Sequence, residues 1–313
     1  MRSTHLSPDS KLSREGNFWD DKNYLAVHCD VRFRSCVSFA LKSAIARFGG
    51  IDIVANFSGI GIIGSCEDQS EADFRNQFQT NFMGTLNIIQ LSLPHFRAQQ
   101  GGRYVLLGMI GGSLGIPGLG PYCATQSAVE GLVESMLSEV DDFGIKATLV
   151  INSYLEIDGH GKSSAPDTGT GKNLHGRGKK QIEEVLKRQT EKRYGCDIQT
   201  PSETYASSTS PASHFERTLQ WIGDRQPTSA SRCAELIWQL GHCNYPPLRL
   251  MLGSYAVESA RERMRSVIEE VDDWKHLSFT LPDDLDASED GKGRHHDLFE
   301  ERVDEHERLE QSF

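Results

Sequence analysis

The residues best suited to chemistry follow a predicted strand in the middle of the chain. Residues 104–107 form an apolar run that predicts a buried strand, and a Gly/Pro-rich turn follows it. Tyr122 then opens a segment whose small residues have helical spacing. Its phenol can donate a proton, whereas an aromatic residue at a helix start can equally be a packing residue. The stretch predicts a strand, a loop and a helix with a candidate proton donor at the helix start.

Two other patterns in the chain are weaker indications of a catalytic or metal-binding site. Gly111, Ser113 and Gly115 match the G-x-S-x-G pattern of hydrolases, but the prolines and glycines of residues 117–121 prevent the helix that must follow such a serine. His295 and His296 lie in an acidic segment that offers no regular metal-ligand spacing. We therefore expect neither a serine hydrolase nor a metal site.

Strands and helices alternate around this central stretch. Strands are predicted at residues 24–28, 51–55, 104–107, 146–151 and 246–253, and helices at about 37–48, 73–96, 122–144 and 256–274. Gly49 and Gly50 are predicted to end the first helix. Strands that alternate with helices pair in parallel, so the sequence predicts an α/β fold with a doubly wound parallel sheet.

Composition limits the classes of function and the compartment. The net charge of -11 argues against a nucleic-acid binder, and no apolar run is long enough for a transmembrane helix. The seven cysteines are an odd number without a C-x-x-C pair, which indicates free thiols in a reducing compartment. We therefore predict a cytoplasmic protein whose partner is a small-molecule substrate, and we leave a homo-oligomer open.

The chain divides into three predicted regions. Residues 1–23 are polar and predict no strand, residues 24–282 carry the α/β domain, and residues 283–313 form an acidic tail without predicted structure. Within the domain, residues 156–180 are rich in Gly, Ser, Thr and Lys and predict a mobile insertion.

Five motifs in a consistent order resemble the short-chain dehydrogenase/reductase family, most closely its fungal members. Asp-Val at residue 30 is similar to the family pair that meets the adenine, and Asn-Phe-Ser-Gly at residue 56 resembles its Asn-Asn-Ala-Gly turn. Asn81 matches the helix residue that holds a proton-relay water, and Tyr122 falls on the catalytic tyrosine. The carboxyl-terminal Pro-Pro-Leu-Arg-Leu-Met-Leu-Gly also fits. The resemblance implies that Tyr122 and Asn81 are catalytic and that Asp30, Val31, Asn56, Gly59 and Gln126 bind the cofactor.

The chain also departs from the family pattern. No Thr-Gly-x-x-x-Gly-x-Gly turn precedes Asp30, so we expect a Rossmann-like fold without its first strand-helix-strand unit. Met109 stands where the family has serine, and Gln126 stands where it has the lysine that lowers the pKa of the tyrosine. We therefore expect a truncated, catalytically degenerate member, from a truncated gene model or a decayed paralogue.

Two functions follow from these observations. By resemblance, the chain is an NAD- or NADP-dependent oxidoreductase of a carbonyl or alcohol on a lipophilic small molecule, in secondary metabolism. The alternative is a protein without redox chemistry: a binder, a scaffold or a cyclase-like protein that uses Tyr122 as a hydrogen-bond donor. Asp30 as a helix cap and Asn81 as a buried structural amide remain alternatives to the site roles. The departures predict weak cofactor binding.

Overall fold

A computed structural model describes residues 20–21, 24–109, 114–152, 155–156, 197–207, 209–210 and 228–277. The chain divides into two compact units, Met1–Arg263 and Met264–Phe313. Nearly all of the predicted insertion and the whole acidic tail lie outside the described residues, as do Ser113, His295 and His296. The predicted regional boundaries therefore stay predictions.

The described strands and helices are as follows. The strands are β1 (Asp20–Asp21), β2 (Tyr24–Leu25), β3 (Ile53–Asn56), β4 (Ile62–Ile63), β5 (Gly102–Met109), β6 (Ile145–Asn152), β7 (Leu155–Glu156), β8 (Asp197–Ile198), β9 (Thr228–Ser229) and β10 (Arg249–Leu252). The α-helices are α1 (Arg34–Phe48), α2 (Glu71–Gln77), α3 (Gly84–Ala98), α4 (Gly120–Val140), α5 (Ala230–Gly241) and α6 (Ser254–Trp274). A π-helix, Phe78–Met83, joins α2 to α3, and short 3-10 helices cover Asp141–Phe143, Glu203–Tyr205 and Lys275–Leu277.

Four parallel strands form the central sheet of the first unit, in the order β10, β6, β5, β3. Their side chains alternate between the two faces, as the pleat requires. Tyr104 and Leu106 of β5 pack with residues of α3 and α4 such as Phe96 and Val133, whereas Val105 belongs to a second apolar cluster that includes Cys233 of α5. Helices therefore cover both faces of the sheet, and the predicted doubly wound α/β fold is confirmed.

The first predicted strand departs from this arrangement. Residues 24–28 were expected to form one strand of the domain, but only Tyr24–Leu25 is a strand, and it pairs antiparallel with Asp20–Asp21. The prediction that residues 1–23 supply no strand is therefore wrong, because a two-residue ladder is made by backbone hydrogen bonds and needs no apolar pattern. Among the described strands, β3 has β5 as its sheet neighbour and lies at the edge of the sheet.

Helix ends follow local chemistry. Gly49 ends α1 in the left-handed conformation, with φ 87°, and its amide donates to the Ile45 carbonyl. Ser70 begins α2 with a capping box, because its hydroxyl accepts from the Asp73 amide and the Asp73 carboxylate accepts from the Ser70 amide. The sequence predicted the end of α1 at Gly49, but it did not predict the start of α2 at Ser70.

The last long helix corrects one packing prediction. Ala256, Ala260, Met264, Val267 and Val271 were expected to face inward. Ala256 and Ala260 are buried, but Met264 and Val271 are 58% and 61% exposed. Helical periodicity identifies an apolar face without identifying what covers it, and this is why the second half of the prediction is wrong. No helix among the described residues is long and apolar enough to span a bilayer.

Candidate active site

Tyr122 lies in the first turn of α4, directly after Pro121. Proline suits this position because its missing amide hydrogen is not needed in the first helical turn. The side chain of Tyr122 is 7% exposed and packs with the apolar residues Ile63, Leu119 and Ile198. The predicted strand before it is confirmed as β5, which ends at Met109, the residue at the family's serine position. The phenol therefore lies in an apolar environment beyond the carboxyl end of a central strand.

Asn81 lies inside the π-helix between α2 and α3, where it is 2% exposed. Its amide nitrogen donates to the Ile60 carbonyl at 2.9 Å, and its amide oxygen accepts from the Ile60 backbone amide at 2.8 Å. The same nitrogen donates to the Thr125 hydroxyl at 3.0 Å, and that hydroxyl donates to the Tyr122 carbonyl at 2.7 Å. Asn81 therefore connects the chain after β3 to the first turn of α4.

Asn56, the last residue of β3, extends this network. Its amide nitrogen donates to the Thr85 hydroxyl at 2.9 Å, and Thr85 donates to the Asn81 carbonyl at 2.6 Å. Its amide oxygen accepts from the Ser58 amide at 3.0 Å, which closes the turn that follows the strand. We call Asn56, Asn81, Thr85 and Thr125 the buried polar network.

Gly59 lies against the same network. A methyl group on Gly59 would be 3.5 Å from the Asn81 amide oxygen. Thus four of the residues predicted for the site, Asn56, Gly59, Asn81 and Tyr122, come together at the carboxyl ends of β3 and β5. Ligand sites of open parallel sheets lie at this edge.

Gln126, one turn after Tyr122, lies over strand β5. A methyl group on Gly108 would be only 2.7 Å from the Gln126 amide oxygen, so that oxygen lies close against the strand backbone. Gln126 also lines a small cavity with Leu106, Val129 and Ile151. Its side chain supplies no positive charge next to Tyr122.

Asp30 and Val31 lie just before α1. The Asp30 carboxylate accepts from the Arg32 guanidinium, with a shortest distance of 2.6 Å, and from the Arg32 backbone amide at 3.0 Å. Hydrogen bonding to Asp30 raises the pKa of the Arg32 guanidinium. The alternative that Asp30 caps the helix is wrong, because the cap position is Phe33 and no side-chain cap bond forms there.

Val31 contacts the start of α3. A methyl group on Gly84 would lie 2.6 Å from a methyl carbon of Val31, so glycine is needed for this close approach. The Asn87 amide nitrogen donates to the Val31 carbonyl at 3.0 Å. These contacts are packing contacts between α3 and the chain that leads into α1.

A two-stranded cover lies beside Tyr122 and was not predicted. We use this name for β4 with β8, which pair in parallel and contribute Ile63 and Ile198 to the apolar cluster around the phenol. Gln77, which is fully buried, accepts from the Ile62 amide at 3.3 Å and donates to Gln69 at 3.0 Å. Polar contacts join the chain after β8 to the loop after β4: the Asp68 carboxylate accepts from the Ser202 amide, and Glu67 accepts from the Tyr205 hydroxyl.

Two hydroxyl side chains of the candidate site were not predicted from the sequence. Thr85 and Thr125 complete the buried polar network, and only their helical position relative to Asn81 and Tyr122 could have indicated them. Among the described residues, no group of three or more His, Cys, Asp or Glu side chains could hold a metal ion.

A parallel sheet with helices on both faces and a polar site at the carboxyl ends of its strands defines a Rossmann-like α/β protein. The family model described as short chain dehydrogenase matches residues 11–166. The chain belongs to the short-chain dehydrogenase/reductase family.

Three similar proteins illustrate the match. Oxidoreductase BOA17 of Botryotinia fuckeliana is 26% identical over 86% of this chain and 85% of its own length. The 3-ketodihydrosphingosine reductase of Bacteroides thetaiotaomicron is 37% identical, but the alignment covers only 39% of this chain and 45% of that protein. The solved structure of a short-chain dehydrogenase from Streptomyces avermitilis has a TM-score of 0.63 and 24% identity, covers 81% of this chain and 80% of its own, and shows the fold alone.

Proposed function

We propose that this chain is an oxidoreductase that interconverts a carbonyl and an alcohol on a lipophilic small molecule. The observation that carries the proposal is the link from Asn81 through Thr125 to the Tyr122 carbonyl, which fixes the first turn of α4 beside the carboxyl ends of β3 and β5. Similarity to a fungal oxidoreductase over most of both chains supports it, and secondary metabolism remains the proposed setting.

Tyr122 is the proposed proton donor to the carbonyl oxygen. Asn81 is the proposed partner that keeps α4 and the turn after β3 in fixed relative positions through its bonds to Ile60 and Thr125. Ile63, Leu119 and Ile198 around the phenol favour an apolar substrate, because a polar one would lose its hydration there without compensating bonds.

The cofactor implied by the resemblance is NAD or NADP, which supplies or accepts a hydride when bound. The residues of this chain fit it only in part. Asn56 and Gly59 lie at the expected edge of the sheet, but the Asp30 carboxylate is bonded to Arg32 and the Gln126 amide lies against Gly108. We therefore expect cofactor affinity far below that of relatives with a Gly-rich turn and a lysine.

This partial fit favours one alternative. If the chain binds neither dinucleotide, the apolar surroundings of Tyr122 suit a non-redox protein that binds a small molecule, or a cyclase-like protein that uses the phenol as a hydrogen-bond donor. Both functions use the same residues around Tyr122 and differ in the need for a hydride.

Cofactor titration and turnover distinguish the two functions. NADH and NADPH are titrated calorimetrically into the full chain, and reduction of apolar ketones is followed by loss of nicotinamide absorbance. Activity that Tyr122→Phe abolishes and that Tyr245→Phe leaves unchanged supports the oxidoreductase, since the Tyr245 side chain is 90% exposed and serves as the control. We expect Gln126→Lys with Met109→Ser to raise the rate, since these changes restore the family's charge and hydroxyl. If neither the natural chain nor the variant with Gln126→Lys and Met109→Ser binds a dinucleotide or turns over a ketone, the oxidoreductase function is overturned and the non-redox function remains.

A further inference from the structure

Two thiols lie at the first turn of α4, next to the candidate site. Cys66 follows β4 and is exposed, and its sulfur lies 2.6 Å from the position that a methyl group on Gly120 would occupy. Cys123 stands three residues after Gly120 in the same helix and is 7% exposed. Side chains three residues apart are neighbours on a helix surface, so both sulfurs lie at one end of α4.

The backbone holds the two segments together. The Gly64 amide donates to the Gly118 carbonyl at 2.9 Å, and Cys66 and Gly120 each follow two residues later. The Gly64 carbonyl accepts from the Gln69 side chain at 3.0 Å, and a methyl group on Gly64 would be 3.0 Å from Gln199. The packed backbone therefore holds the segment that carries Cys66 beside the first turn of α4, which carries Cys123.

The two thiols differ in their surroundings. Burial raises the pKa of the Cys123 thiol, and the nearby Cys66 adds to the rise. Cys66 is open to solvent, so an oxidant can reach it first. When an exposed thiol lies beside a second thiol, the first can be oxidised to a sulfenic acid and the second can resolve it to a disulfide.

We propose that Cys66 and Cys123 form a reversible disulfide when the protein meets a peroxide. The Cys66 thiolate attacks one peroxide oxygen, the O–O bond breaks, and a sulfenic acid and one water form. The Cys123 thiol then attacks the sulfenic sulfur, the S–S bond forms, and a second water leaves. Two thiols and one hydrogen peroxide give one disulfide and two waters, and the sulfurs supply both electrons.

The disulfide would fix the loop after β4 to the helix that carries Tyr122. This loop directly follows β4 of the two-stranded cover, and Ile63 of β4 packs on Tyr122. Oxidation would thereby restrain the cover next to the phenol. The proposal does not depend on the proposed function, because its test needs no enzymatic activity.

Peptide mapping provides the direct test. The reduced full chain is treated with hydrogen peroxide, its remaining thiols are alkylated, and it is digested with trypsin without reduction. Cys66 and Cys123 fall in tryptic peptides 48–75 and 104–146, each of which contains no other cysteine. We expect these two peptides to be cross-linked and to separate again with dithiothreitol.

Gly120→Ala is the decisive variant because it keeps both thiols. Its methyl group would meet the Cys66 sulfur, which must turn away, and we expect cross-linking to slow by at least about fivefold, since disulfides demand a narrow geometry. Cys243→Ser serves as the control and leaves the rate unchanged. The proposal is overturned if the cross-link is absent, if Cys66 joins a different cysteine, or if Gly120→Ala, shown to be folded by circular dichroism, cross-links as fast as the natural chain.

Discussion

The two sides of the candidate site are held in different ways. Around Tyr122, the buried polar network joins residues that are far apart in sequence: Asn81 and Thr125 are 44 residues apart, and Asn56 and Thr85 are 29 apart. On the side expected to meet the cofactor, Asp30 is bonded to Arg32, only two residues away. The surroundings of Tyr122, which we call the substrate side after the proposed function, are therefore fixed by the tertiary fold, whereas the bond at Asp30 is local.

This difference shows which contacts of the candidate site depend on the tertiary fold. Long-range buried hydrogen bonds need several elements in their correct places, because each unmatched buried group is costly. The bond between Asp30 and Arg32 forms within one turn and needs no such arrangement. The network around Tyr122 therefore depends on the fold, whereas the bond between Asp30 and Arg32 can be altered without disturbing that network.

The largest expected effect is on the substrate side. Asn81→Ala would leave the Ile60 amide and carbonyl without the side-chain partner that now satisfies both, and it would remove the bond that the Thr125 hydroxyl accepts. We expect the free energy of unfolding to fall by about 3 kcal/mol, as for a buried amide with several bonds. Urea unfolding followed by circular dichroism measures this loss.

Asn76→Ala is the matched control for this prediction. Asn76 is an exposed asparagine in α2 that accepts one bond from Arg32 at 3.3 Å. We expect its loss to cost less than about 0.5 kcal/mol. Equal effects of the two substitutions would contradict the view that the substrate side is fixed by the tertiary fold.

Much of the fold followed from the sequence because it depends on local patterns. The apolar runs at residues 104–107 and 146–151 predicted β5 and β6, since strands of a parallel sheet are buried on both faces. Gly49 likewise predicted the end of α1 from local sequence, because glycine readily adopts the left-handed conformation that the structure has there.

The missed features have no recognisable local pattern in the sequence. No local pattern shows that β8 pairs with β4, because two-residue strands have no periodicity. The π-helix around Asn81 inserts an extra residue into a helical run that reads as continuous. The bond between Asp30 and Arg32 was also missed, since opposite charges two residues apart in a sequence do not show whether their side chains turn toward each other.

An intermediate effect is expected from Tyr104, which lies in the sheet core and bonds to Ser92 of α3 at 2.8 Å. Burial raises the pKa of its phenol to about 12. An unfolded tyrosine ionises near pH 10, so below that pH the phenol is neutral in both states and the stability is unchanged. Between about pH 10 and about pH 12 the phenol ionises in the unfolded chain but not in the folded one, and stability is lost. The loss attributable to Tyr104 is on the order of 2 kcal/mol.

Comparison with Tyr104→Phe isolates this contribution. The variant lacks the ionising group, so its unfolding free energy should fall less steeply over the same pH range, although it starts lower because the bond to Ser92 is gone. Tyr205, whose pKa Glu67 raises through a hydrogen bond, contributes equally to both proteins. Parallel pH profiles of the two proteins would show that the core around α3 tolerates an ionised phenol.

The smallest effect is expected on the cofactor side. The Asp30 and Arg32 side chains are 26% and 31% exposed, and a pair so open to water contributes less than about 1 kcal/mol. We expect Arg32→Ala to lower the unfolding free energy by no more than this amount. Arg75→Ala provides the control, because Arg75 forms a pair with Glu71 that is more exposed.

The same variant also tests what Asp30 can bind. If the carboxylate is to meet an adenine, it must first leave Arg32, so removing the guanidinium should tighten NADH binding by about two- to fivefold while Arg75→Ala leaves it unchanged. Calorimetric titration of the three proteins measures this change. A loss of stability well above 1 kcal/mol would show that Arg32 fixes the chain before α1, and the contrast between the two sides of the site would then be wrong.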